Sequence, residues 1–139
     1  MLLTYRFFLS FTLILYLALL AWLSLMPPSY FIHSPVFFEG ADKVVHGIIY
    51  SILSFLLFLL FLEIWPEAML KNVILVFISA LAYGLLMEIL QEFIRSLSRS
   101  FETADIVANG VGVIMGITFG LIFSPLIVRL TTEKKQDSE

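Results

Sequence analysis

Four apolar runs, each long enough to cross a lipid bilayer, constrain this chain more than any other feature. The first, residues 7–26, is "FFLSFTLILYLALLAWLSLM" and carries no charge. The second, residues 44–62, is "VVHGIIYSILSFLLFLLFL", interrupted only by His46. The third, residues 73–94, is "VILVFISALAYGLLMEILQEFI", with Glu88 and Gln91 near its end. The fourth, residues 106–128, is "IVANGVGVIMGITFGLIFSPLIV", with Asn109 near its start. A hydrocarbon core of ~30 Å needs about 20 helical residues, at a rise of about 1.5 Å each. Transmembrane β-strands are about half that length and alternate polar with apolar residues. The expected architecture is therefore all-α: a polytopic membrane protein of four transmembrane helices with short loops. It occupies residues 1–139 as a single domain, ending in a polar tail at 131–139 that is expected to fray.

Composition agrees with this reading. The chain is 60% hydrophobic and 14% charged, where a soluble domain is about 45–50% apolar and about 25% charged. Its net charge of −3 gives no basic face for nucleic acid. With no cysteine, disulfides, thiolate nucleophiles and thiolate-bound metals are excluded. The first run exceeds the apolar stretch of about 7–15 residues typical of a signal peptide, and no A-x-A-like site follows it. It reads as a retained anchor that stops at Met26-Pro27-Pro28. Tyr30, Phe31, Phe37, Phe38 and Trp65 suit the lipid–water boundary.

An even number of spans places both termini on one side. Arg6, Lys71, Arg129, Lys134 and Lys135 share that side, against Lys43, Arg95 and Arg99 on the other. The excess places both termini in the cytoplasm. The first and third loops then face outward. His46, Glu88 and Asn109 each lie one to two turns inside a helix end at that outer face, so they should share one layer. Spacing supports convergence, because residues three or four apart share a helix face. Asp42, His46 and Tyr50 line one such face. Glu88, Gln91, Glu92 and Arg95 line a second. Asp105, Asn109, Gly112, Gly116 and Gly120 line a third. Lipid rejects polar faces, so these should turn inward. The glycine stripe has the small-xxx-small spacing that lets helix backbones touch.

Glu88 is the sharpest signal. An ionised group at the centre of a membrane helix costs about 2.5–3.5 kcal/mol on insertion scales and is functional by default. It suits a general base, a metal ligand or a hydrogen-bond anchor to Arg99 or His46. His46 suits a metal ligand, an acid–base group or an interhelical hydrogen bond, with Asp42 and Tyr50 placed to set its tautomer. Asp105 either caps its helix or joins Glu88 and His46 as a catalytic group. Together these three residues are also candidate ligands for a divalent metal. Asp42, Lys43, Tyr50, Gln91, Arg99 and Asn109 are candidate ligand-binding residues. Lys43, Arg95 and Arg99 have an alternative role as snorkelling cations, and Glu92 and Glu102 as solvated faces.

Three segments, "DKVVHGIIY", "EILQ" and "RSFETADIVANGVGVIMG", together resemble the VanZ-like family. The family pattern is roughly D-K-x-x-H-x-x-x-Y, then E-x-x-Q, then R-s-x-x-x-x-D-x-x-x-N-x-x-G-x-x-x-G. It falls here on Asp42, Lys43, His46 and Tyr50; on Glu88 and Gln91; and on Arg99, Ser100, Asp105, Asn109, Gly112 and Gly116. The resemblance spans about residues 10–125. It implies a small polytopic protein of the cell envelope and a link to glycopeptide (teicoplanin) resistance.

Three functions fit these observations. In the first, an outward-facing pocket binds or modifies a lipid-like or acylated ligand. Lys43 and Arg99 would meet its headgroup, and the apolar helices its tail. In the second, Glu88, His46 and Asp105 make an intramembrane hydrolase or transferase acting on lipid-linked envelope precursors. In the third, the polar layer holds the helices in register and function lies in binding another membrane protein. A transporter is a fourth possibility, with little room for a pathway in four helices.

Overall fold

The computed structural model describes residues 2–26, 40–94 and 103–136, with side chains from residue 5 to residue 129 within those ranges. All elements among the described residues are α-helices: α1 (Leu2–Ser24), α2 (Ala41–Ile64), α3 (Met69–Phe93) and α4 (Thr103–Gln136). Each is long and apolar enough to cross a membrane. The protein is a four-helix, multi-pass membrane protein.

Local chemistry sets the helix ends. α1 stops at Ser24, shortly before Pro27, and Leu25 N–H bonds Ala21 O at 2.9 Å in its last turn. Gly40 precedes α2 with φ +86°, a left-handed conformation that glycine adopts without steric cost. Its carbonyl accepts from Lys43 N–H at 3.1 Å. α2 ends at Ile64, ahead of Pro66, which has no N–H to continue the ladder. Asn72 Nδ2 then donates to Trp65 O at 2.9 Å, and Lys71 Nζ sits 3.7 Å over the Trp65 ring. Arg6 ties α1 to the same end, with Nη2 donating to Glu63 O at 2.8 Å and Nε to Glu63 Oε1 at 3.2 Å.

Several bounds depart from the sequence expectations: α1 begins at Leu2 rather than residue 7, α2 at Ala41 rather than 44, and α4 at Thr103 rather than 106. α3 begins at Met69 rather than residue 73, because Asn72 and Lys71 belong to its first turns. The polar tail does not fray from residue 131: α4 continues to Gln136. Glu, Lys and Gln are good helix formers, and extending an existing helix avoids the cost of nucleation. Inside α4, Pro125 cannot donate to Leu121 O, and Ser124 Oγ donates there instead at 2.9 Å. A neighbouring hydroxyl thus satisfies the freed carbonyl, as the lipid core requires. Tyr30, Phe31, Phe37 and Phe38 lie outside the described residues.

Apolar side chains lie on both the outside and the inside of the bundle. Phe7, Trp22, Ile78, Phe93 and Ile122 are exposed to the lipid side. Leu53, Phe58, Val76, Ala80 and Val113 are wholly buried. So are the polar side chains of Ser54, Asn72, Glu88 and Asn109, to within 1%. α2 packs on all three other helices, and most extensively on α4.

The α2–α4 contact is backbone to backbone. A Cβ on Gly112 would run into the Gly47 carbonyl, one on Gly116 into the Ser51 carbonyl, and one on Gly120 would come 2.5 Å from the Phe58 ring. Gly116→Ala should therefore destabilise the purified protein by about 1–3 kcal/mol, the usual range for overpacking. Gly110→Ala meets only Leu81 Cδ2 at 4.0 Å and should leave the melting temperature unchanged. Thermal melts in detergent check both.

Candidate functional site

The close α2–α4 contact carries three polar residues of α4 and α2 to the same end of the bundle. His46 lies about 8 Å inside the start of α2, and Asn109 about 9 Å inside the start of α4, at 1.5 Å per residue. His46 Nδ1 and Asn109 Oδ1 are 2.9 Å apart. An amide oxygen only accepts, so Nδ1 is the donor and carries the proton. That leaves Nε2 with its lone pair in the neutral ring. Nε2 faces Asp105 Oδ2 at 3.9 Å, beyond hydrogen-bond distance.

α3 supplies the third group. Glu88 lies about 8 Å before the end of its helix and is 1% exposed. One ligand-capable atom from each of His46, Glu88 and Asp105 lies within 4.8 Å of the other two. These are the three sequence candidates for catalysis or metal binding, brought together from three helices. Lys43 reaches in from the rim. Its Nζ lies 2.6 Å from both Asp42 Oδ2 and Asp105 Oδ1. The contact to Asp42 is also a hydrogen bond. The contact to Asp105 Oδ1 is an ion pair by distance, without hydrogen-bond alignment.

The other candidates take different places. Asp42 is on the rim, its side chain 58% exposed and engaged by Lys43 rather than by His46. The tautomer-setting partner of His46 is Asn109, from another helix, in place of the expected Asp42 or Tyr50. Tyr50 is buried, its ring stacked near-parallel to that of His46 with centroids 6.5 Å apart. Gln91 Nε2 donates to Ser24 O at 2.8 Å, so its amide nitrogen caps the end of α1. Glu92 is exposed. Gly112, Gly116 and Gly120 form the packing face against α2. Arg95, Arg99, Ser100 and Glu102 lie outside the described residues.

Sequence reasoning missed Gly84. A Cβ there would sit 3.0 Å from Asn109 Nδ2 and 3.1 Å from Tyr50 Cε1. A side chain at this position would make Asn109 and Tyr50 give way by a few tenths of an ångström. Its signal was the spacing: Gly84 is one turn before Glu88 and shares its face. Asn109 Nδ2 is buried and makes no hydrogen bond among the described residues.

Asp42, Glu88 and Asp105 give this mouth three carboxyl groups, with Lys43 as the cation in contact with two of them. The described site is therefore acidic, with a nitrogen lone pair at its centre. That chemistry suits a cation, a proton or hydrogen-bond donors on a ligand. No family model, curated protein or solved structure matches the chain.

The Asn109 contact makes a spectroscopic prediction. In 15N-histidine-labelled His33→Gln protein at alkaline pH, His46 should show the Nδ1–H tautomer. Asn109→Ala should shift it toward Nε2–H. An Nε2–H ring in the Asn109-containing protein would mean that a His46–Asp105 dyad forms instead.

Proposed function

We propose that this protein is a VanZ-like membrane protein of the cell envelope that binds a lipid-like or acylated ligand at the outer leaflet. The observation that carries the reading is a three-helix polar cluster placed about two turns or less inside an apolar span, flanked by exposed apolar helix faces. A headgroup at the mouth would meet Glu88, Asp105 and His46, while its acyl chain lies along residues such as Val45, Ile48 and Val107 on the lipid side. The charge of the mouth modifies the expected headgroup. Lys43 is held by Asp42 and Asp105, so the described residues favour a headgroup rich in donors over a bare anion.

The family part of this reading rests on the three motif segments, and it brings the teicoplanin link with it. The Lys and Arg distribution favours an extracytoplasmic mouth, where an acylated glycopeptide or a lipid-linked envelope precursor would be within reach. A second reading is an intramembrane hydrolase or transferase on such precursors. It is favoured by the mutual proximity of His46, Glu88 and Asp105, three side chains of the types used in general acid–base catalysis. Turnover of a lipid-linked precursor by purified protein, abolished in Asp105→Asn, would establish it over simple binding.

The test is glycopeptide susceptibility in a sensitive Gram-positive host expressing wild type or Glu88→Gln, with membrane abundance measured for both. Protection by the wild type but not by the variant at equal abundance is expected. It should be greater against acylated than against non-acylated glycopeptides. Equal protection against both classes, or protection that follows abundance alone, would contradict the reading.

A further inference from the structure

The lone pair on His46 Nε2 is the starting point. Nδ1 is committed to Asn109 Oδ1 at 2.9 Å, so neutral His46 offers an acceptor at Nε2. Facing it at 3.9 Å is Asp105 Oδ2, another acceptor. One carboxylate oxygen of Glu88 joins them, in a cluster where one ligand-capable atom from each of the three residues lies within 4.8 Å of the others. Three electron-pair donors on three helices therefore converge on one point, and two of them are partly open to the mouth at 17% and 14% exposure. Lys43 brings one positive charge to Asp105 Oδ1 from the rim, and the mutual approach of three ligand-type side chains is the geometry a metal ion uses.

We propose that His46 Nε2, Glu88 and Asp105 Oδ2 bind one divalent transition-metal ion of the zinc class, with a coordination position open at the mouth. Metal–ligand bonds of about 2.0–2.2 Å place tetrahedral ligands about 3.3–3.6 Å apart, so atoms within 4.8 Å of one another close by up to about 1.5 Å. That is within rotamer adjustment. The imidazole selects against Mg2+ and Ca2+, which take oxygen ligands. The chain has no cysteine, so metals that select thiolate find none here.

The outer partners of a metal site are also in place. A metal-binding histidine normally gives its other ring N–H to an acceptor that fixes its tautomer and orientation. Asn109 does this for His46 from the adjacent helix. A metal-binding carboxylate is normally held by its second oxygen. Lys43 lies against Asp105 Oδ1 and leaves Oδ2 turned toward His46. A bound dication would also offset the two carboxylates, including the one that is 1% exposed.

The inference is independent of the amphiphile reading, because metal alone decides it on purified protein. The experiment uses untagged, chelator-stripped protein in detergent, titrated with Zn2+ and separately with Co2+. The expected result is one zinc per chain and a cobalt d–d absorption diagnostic of low coordination number. His46→Gln, Glu88→Gln and Asp105→Asn should each lose stoichiometric zinc while keeping helical circular dichroism. Asn109→Ala should weaken binding about 10–100-fold, the usual effect of losing an outer partner. His33→Gln should bind as wild type. Substoichiometric zinc in folded wild-type protein would overturn the proposal, as would an unchanged cobalt spectrum in Glu88→Gln. Should a triad variant fail to fold, the wild-type stoichiometry and spectrum still decide.

Discussion

Backbone contact between α2 and α4 determines what can happen at the mouth of this bundle. Gly112 and Gly116 bring α4 against the carbonyls of Gly47 and Ser51, a distance that any side chain at either glycine would prevent. In lipid there is no hydrophobic force between helices, so such packing has to come from close van der Waals contact. One turn beyond Gly112, the same approach sets Asn109 against His46 and Asp105 beside Lys43. Widening the contact would separate all four groups together. The site and the packing are therefore one construction.

The polar residues of the interior fall into two kinds. Tyr16, Tyr83, Gln91, Ser54 and Ser124 each donate to a backbone carbonyl: Ile49 O, Leu17 O, Ser24 O, Tyr50 O and Leu121 O. These are neutral donors to fixed acceptors: Tyr16, Tyr83 and Gln91 join one helix to another, while Ser54 and Ser124 satisfy carbonyls of their own helices. Asn72 and Arg6 do the same at the opposite end, around the α2–α3 turn. His46, Glu88 and Asp105 are different. They are ionisable groups gathered within 4.8 Å, and two of them are carboxyl groups. A bundle built for stability alone has no use for that arrangement, since buried ionic groups are often less stabilising than apolar replacements.

Much of this was legible in the sequence because lipid leaves few choices. A run without charges such as residues 7–26 has to satisfy its backbone internally, so helix was forced. A polar face on an otherwise apolar helix has to turn inward, so the convergence of His46, Glu88 and Asp105 followed from spacing. What spacing could not supply was partnership across helices. Asp42 lies one turn from His46 and was the natural candidate to hold it, yet Asn109, sixty-three positions away, does so. Gln91 shares the face of Glu88 but reaches α1. Gly47 and Ser51 make the groove for the glycine stripe, and nothing local distinguishes them from other small residues. The helical continuation through residues 131–136 was missed because polarity was read as fraying, where propensity favoured extension.

The central claim is that the buried carboxylate is kept for what it binds, at some cost to the fold. It is tested most directly by the thermal stability of Glu88→Gln against wild type, in detergent with chelator present. Glutamine keeps the shape and replaces a buried ionisable group with a neutral one. The expected melting temperature of Glu88→Gln is equal to or above that of the wild type. A clear fall would mean that Glu88 holds the helices together, and that the polar layer is a structural clamp.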